Sequence, residues 1–141
     1  MGIILTDIGH CKKPDADERY AIVRSYKKPI PGVIQLPELS PSTNLFYKYL
    51  NMKKDGNWNI DSFKNIYVPW FLREMKQPQA INALNKIWNS AKTKDIVLAC
   101  YCDNETLCHR SIVGALMKAT GIPVTSNSAL DISYYEQYCK I

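Results

Sequence analysis

Cys100, Cys102, Cys108, His109 and Arg110 crowd into one short stretch, and three of the chain's five cysteines fall within nine positions. A thiol beside a histidine can be a nucleophile with its base, since the imidazole titrates near neutral pH and the thiolate is the reactive form. An arginine next to them can clamp a phosphate or carboxylate through two parallel N–H donors. Thiols at i and i+2 on a strand also share a face, so Cys100, Cys102, Cys108 and His109 form an alternative zinc set. Adjacent Cys108 and His109 would then point about 100° apart on a helix, which makes fourfold closure awkward. A thiolate phosphatase is disfavoured. It needs an arginine six positions after its cysteine, whereas Arg110 is eight residues after Cys102 and two after Cys108, with no glycine in the loop to turn its amides inward.

The elements around this cluster decide where it sits. Ile96, Val97, Leu98 and Ala99 form an uninterrupted apolar run, as expected of a strand buried on both faces in a parallel sheet. Cys100 and Cys102 end that strand. After Asp103, Asn104 and Glu105, Thr106 reads as an N-cap, and Ile112, Val113, Leu116 and Met117 recur on one helical face until Gly121 and Pro123 stop the helix. Cys108, His109 and Arg110 thus belong to the first turn of a helix beyond the carboxyl end of a buried strand. In open α/β sheets ligands bind there, and the helix amino end favours an anion and a lowered thiol pKa.

Earlier segments supply further rim candidates. Ile3 to Ile8 reads as a strand ending at Gly9, His10 and Cys11, and Tyr20 to Tyr26 as a second strand whose end carries Arg24, Ser25, Lys27 and Lys28. Four prolines, Pro29, Pro31, Pro37 and Pro41, space out a connection too apolar for a linker, expected to wall or cover the rim. Ser40-Pro41-Ser42 opens a helix with Leu45, Phe46, Tyr49 and Leu50 as its buried stripe. Phe63, Ile66, Tyr67, Trp70, Phe71 and Met75 follow at helical spacing, broken by Pro69 into a kinked helix or two short ones. This aromatic cluster reads as core, with a base-stacking wall as its functional alternative, in which Tyr67 and Arg73 would face a ligand. Pro78 opens a helix with Ile81, Leu84, Ile87 and Trp88 inward, and residues 131–135 suggest a short closing helix.

One domain spanning residues 1–141 is expected, with the 46% hydrophobic and 22% charged content of a globular protein. No apolar run is long enough for a membrane span, and Asp7 interrupts the amino-terminal one too early for a signal peptide, so a cytoplasmic location is expected, without membrane partners. Five cysteines without an export signal read as thiols or ligands rather than a disulfide framework. The net charge of +5 favours an anionic partner.

The segments Ala21–Tyr26, Leu39-Ser40-Pro41-Ser42, Tyr67, and Leu98–Cys102 followed by Cys108-His109-Arg110 resemble domain-of-unknown-function family 488, in the short versions found in bacteria and their phages. The resemblance implies a three-layer Rossmann-like α/β sandwich, and Arg24, Cys102, Cys108, His109 and Arg110 stand at the family's motif positions. The residues then suggest an enzyme, a hydrolase or transferase acting on a nucleotide or a nucleic-acid base. Arg24, Ser25, Arg110, Tyr67 and Arg73 would hold the ligand, and Cys108, His109 and Cys102 would do the chemistry without a cofactor. The alternative is a phage-type binding protein without chemistry that holds a nucleotide, a nucleotide signal or a host protein.

Overall fold

The computed structural model describes residues 1–25, 28–101 and 107–126. Five strands form one parallel sheet in the order β3-β2-β4-β1-β5: β1 (Gly2–Asp7), β2 (Glu18–Ala21), β3 (Ile34–Gln35), β4 (Asp95–Cys100) and β5 (Val124–Ser126). The protein is therefore α/β with a parallel sheet, as the apolar run at Ile96–Ala99 predicts. β4 lies at the centre, paired along its length with β1 and β2, and its apolar residues are fully buried.

Strand order decides which face each connection covers. Right-handed crossovers moving the same way across a sheet lie on the same face. The β3→β4 connection carries α1 (Thr43–Lys54), α2 (Ile60–Ser62), α3 (Val68–Glu74) and α4 (Pro78–Ala91), and β4→β5 carries α5 (His109–Ala119). Both move towards β5. Their helices accordingly share one core with Ile3, Leu5, Tyr20, Ile96, Leu98 and Cys100. The β1→β2 and β2→β3 connections run the opposite way, and the other face, Ile4, Val97 and Ala99, is covered by their Ile8, Cys11, Ala16, Ile30 and Val33. Among the described residues the third layer is thus built of connections, with a 3-10 turn at Ile8–His10, rather than of α-helices. Cys11 belongs to that packing, where burial pushes its thiol pKa up.

Several elements differ from their sequence reading. β2 starts at Glu18 and ends at Ala21, because the carbonyls beyond it bond side chains instead of a neighbouring strand. α1 is capped by Ser42, whose Oγ accepts from the Leu45 N–H, but Phe46 and Leu50 are exposed rather than inward. In α4 the buried side chains are Ala80, Ala83, Ile87 and Ala91, while Ile81 faces out. A π-helical turn over Phe63–Tyr67 joins α2 to α3, so the irregularity lies ahead of Pro69. α5 starts after Cys108 rather than after Thr106, and β5 is a strand the polar Thr125-Ser126 conceals. Thr106, the loop 103–105, and the helix expected at 131–135 lie outside the described residues. Among the described residues no helix is long and apolar enough to cross a membrane.

At the far end of the sheet, Tyr20 is buried and donates to Glu18 Oε1 at 2.8 Å, while Lys94 bonds Glu18 Oε2 at 2.9 Å. Lys94, then Tyr20, hold the Glu18 carboxyl below its usual range. Burial, then the neighbouring carboxylate, pushes the Tyr20 phenol up to about 12. A raised folded-state pKa contributes stability that is complete below the unfolded value near 10 and is lost as pH rises through the folded one. Unfolding free energy should therefore fall by about 2–3 kcal/mol as pH climbs from about 10 to about 12. Denaturant titrations of wild type and Tyr20→Phe check this, the variant losing that part of the slope.

Candidate active site

Segment 22–25 continues β2 past its last ladder residue and forms one wall of a recess at the carboxyl rim of the sheet. Ile22 still donates to the Ala99 carbonyl at 2.9 Å. After that the backbone is held by side chains. Gln35 Nε2 donates to the carbonyls of Val23 (3.1 Å) and Arg24 (2.7 Å), and His109 Nε2 meets the Ile22 carbonyl at 2.7 Å. Arg24 spans to the opposite wall, with Nε and Nη2 donating to the Pro41 carbonyl at 3.1 and 2.9 Å. Pro41 in turn precedes Ser42, whose N–H and hydroxyl bond the Glu74 carboxylate. The proline-rich connection is thus a fixed wall, tied to α3.

The recess has a volume of about 370 Å³ and is lined mainly by apolar and aromatic side chains: Val23, Phe46, Tyr49, Tyr67, Tyr101 and Leu107. Its polar lining comes from Arg24, Ser25, Ser40 and His109. Arg24 uses two of the five N–H donors of a guanidinium on Pro41, leaving the others for an anion at the rim. Tyr67 stacks on Phe63 and Phe71 at centroid distances of 5.5 and 6.1 Å, and Phe71 lies 5.8 Å from the His109 ring. Tyr49 and Trp58 extend the array edge-on. Phe63 and Phe71 are fully buried core, as the sequence suggested, and Tyr67, on the same helical face, lines the recess.

Behind that wall lies the cysteine cluster. Cys108 caps α5, and its Sγ sits 2.9 Å from Cys100 Sγ and 3.7 Å from His109 Nδ1, with all three residues buried. A carbonyl can only accept, so the bond to Ile22 puts a hydrogen on Nε2 of His109. With that tautomer it is Nδ1 that faces Cys108. That is the arrangement of a thiol with a base whose orientation a third group fixes. His109 can take the thiol proton without changing its anchoring.

Arg110, by contrast, is 3% exposed and turned into the fold, its Nη1 donating to the Thr6 carbonyl of β1 at 3.0 Å and to Cys100 Sγ at 3.4 Å. Arg24, Ser25, Tyr67 and His109 are brought to the recess, whereas Arg110, Cys108 and the exposed Arg73 are not among its lining residues. The two guanidinium groups expected to share one recess have different settings. Cys102 lies outside the described residues. Gln35 and Tyr101 escaped the sequence reading of the site. The signal for Gln35 was available: one amide side chain in the middle of Val33-Ile34-Gln35-Leu36.

The chain is thus a Rossmann-like α/β protein whose parallel sheet carries, at its carboxyl rim, a recess lined by rings, one arginine and a histidine backed by thiols. Residues 3–121 match the family described as the active DUF488-N3 subclade, and the chain belongs to that DUF488 family. No curated protein and no solved structure matches the chain.

Proposed function

We propose that the protein is a cytoplasmic enzyme acting on a nucleotide or a nucleic-acid base held in this recess. Tyr67 and Tyr101 would pack against the base, Arg24 and Ser25 would take the phosphate at the rim, and His109, which lines the recess with Cys108 behind it, would carry the proton transfer. The observation that carries this reading is the pairing of an aromatic lining with a single rim guanidinium in one recess of about 370 Å³. Planar rings stack on bases, and a guanidinium matches phosphate geometry. The +5 net charge draws the same class of ligand.

A binding protein without chemistry, of the kind phages carry, is the second reading. It is favoured by one detail: both nitrogens of His109 already face protein groups, Ile22 O and Cys108 Sγ. A panel of nucleosides, nucleoside monophosphates and short oligonucleotides, followed by thermal shift and by product analysis, separates the two. At a hundredfold excess over Kd a monophosphate should stabilise by about 2.7 kcal/mol, a rise in Tm of roughly 5–10 °C. Arg24→Ala should remove most of that shift. Turnover lost in Cys108→Ala or His109→Ala marks the enzyme, and a shift with intact ligand marks the binder. If no member of the panel raises Tm, both readings fail.

A further inference from the structure

We propose that Cys100, Cys108 and His109 form a binding site for a thiophilic divalent cation, best matched by Zn²⁺. Their donor atoms all lie within 4.8 Å of one another, and the three residues are 0%, 1% and 6% exposed. Zinc bonds thiolate sulfur at about 2.3 Å and imidazole nitrogen at about 2.0–2.1 Å, which sets neighbouring tetrahedral ligands roughly 3.5–3.8 Å apart. The Cys108 Sγ to His109 Nδ1 distance of 3.7 Å already fits. The two sulfurs, at 2.9 Å, would open by about 0.9 Å to admit the ion.

The groups around the cluster are those that orient metal ligands. A metal-bound histidine donates its other N–H to a carbonyl or carboxylate, which fixes the tautomer and the ring plane. Here Nε2 of His109 is committed to the Ile22 carbonyl, and Nδ1 is the nitrogen turned towards the sulfurs. Arg110 Nη1 donates to Cys100 Sγ, which anchors that sulfur in the cluster. Two thiolates and one imidazole are also a donor set of catalytic zinc, whose fourth position is left to water. Loading is balanced by proton release: Zn²⁺ displaces one proton from each thiol, and the neutral imidazole contributes its Nδ1 lone pair. With the ion in place, Cys108 and His109 would act as its ligands rather than as a proton-transfer pair.

This inference stands on the cluster and not on the ligand of the recess: bound zinc would replace the Cys108–His109 step proposed above and leave ligand binding at Arg24 and Tyr67 to be tested by itself. The untagged full chain, purified under reducing conditions without chelator, would be analysed for metal and titrated with Co²⁺ as a spectroscopic substitute. One equivalent of zinc is expected, with a thiolate-to-cobalt charge-transfer band that Zn²⁺ displaces. Cys100→Ser and Cys108→Ser should each abolish the band and weaken Zn²⁺ binding roughly 100-fold or more, whereas Cys11→Ser should bind as wild type does. Should the serine variants unfold, thermal unfolding of the wild-type chain gives the same answer. Zn²⁺ should raise its Tm, and a chelator should reverse the rise. Absence of stoichiometric metal after Zn²⁺ addition, a band that survives in both serine variants, or a Tm indifferent to Zn²⁺ would overturn the site.

Discussion

Phe71→Ala is expected to cost about 3–5 kcal/mol of folding stability, the range for emptying a fully buried aromatic position. Phe71 has no exposed surface, stacks on Tyr67 and lies beside the His109 ring, so its removal opens a cavity between α3 and α5 directly under the recess. Denaturant unfolding measures the loss. Phe71→Leu should recover much of it, because a branched aliphatic side chain fills most of the volume. A nucleotide that binds the recess should also bind Phe71→Ala more weakly, since Tyr67 and His109 lose the ring that orders them. A loss below about 1 kcal/mol would mean that the aromatic array does not support the site.

Arg110→Ala should lower stability by about 2–4 kcal/mol in the absence of any ligand. Its guanidinium joins the amino end of α5 to the Thr6 carbonyl of β1 and to Cys100 at the end of β4, and alanine would leave buried acceptors short of a donor. Arg110→Lys should rescue little, because an ammonium cannot reproduce a planar fork of donors. The contrast with Arg24 is the test of assignment. Arg24→Ala should weaken ligand binding with little change in the stability of the free protein, as among the described residues its guanidinium bonds only the Pro41 carbonyl, in an exposed position. If Arg110→Ala left the free protein as stable as wild type and reduced only affinity, Arg110 would have to be placed in the ligand site instead.

The part of the fold built on long-range apolar patterning was legible. The run Ile96–Ala99 can only be satisfied by burial on both faces, so β4 and a parallel sheet followed from it. The helix after it was legible too, though its first residue was not. Cys108 rather than Thr106 takes the cap position, and its side chain makes no bond to the helix's first N–H groups, which no capping preference would select. Inward faces were misread where size stood in for burial. α4 packs through Ala80, Ala83 and Ala91, which let its backbone approach the sheet, and this leaves the larger Ile81 outside. Gly114 plays the same part in α5, where an added Cβ would meet Leu5 Cδ1 at 2.7 Å.

The candidate site was legible as a set of residue types and less so as a geometry. Arg24, Tyr67 and His109 do reach one recess, drawn from three segments far apart in sequence. Arg110 follows His109 in the chain and has a different environment, because successive residues of a helix point about 100° apart. Spacing alone could not say which of the two would face the recess. The fixed wall at Ser40–Pro41 was anticipated from its prolines, but the side-chain bonds that hold it, from Arg24 and Glu74, depend on tertiary placement.

Calorimetric titration of a nucleoside and of its monophosphate into wild type and Arg24→Ala, at low ionic strength, tests the account most directly. The monophosphate should bind wild type roughly 10- to 100-fold more tightly than the nucleoside, as charge-assisted hydrogen bonds worth about 1.5–3 kcal/mol require. Arg24→Ala should erase that difference and leave nucleoside affinity nearly unchanged. Equal affinity of wild type for the two ligands, or a phosphate preference that survives the loss of Arg24, would contradict it.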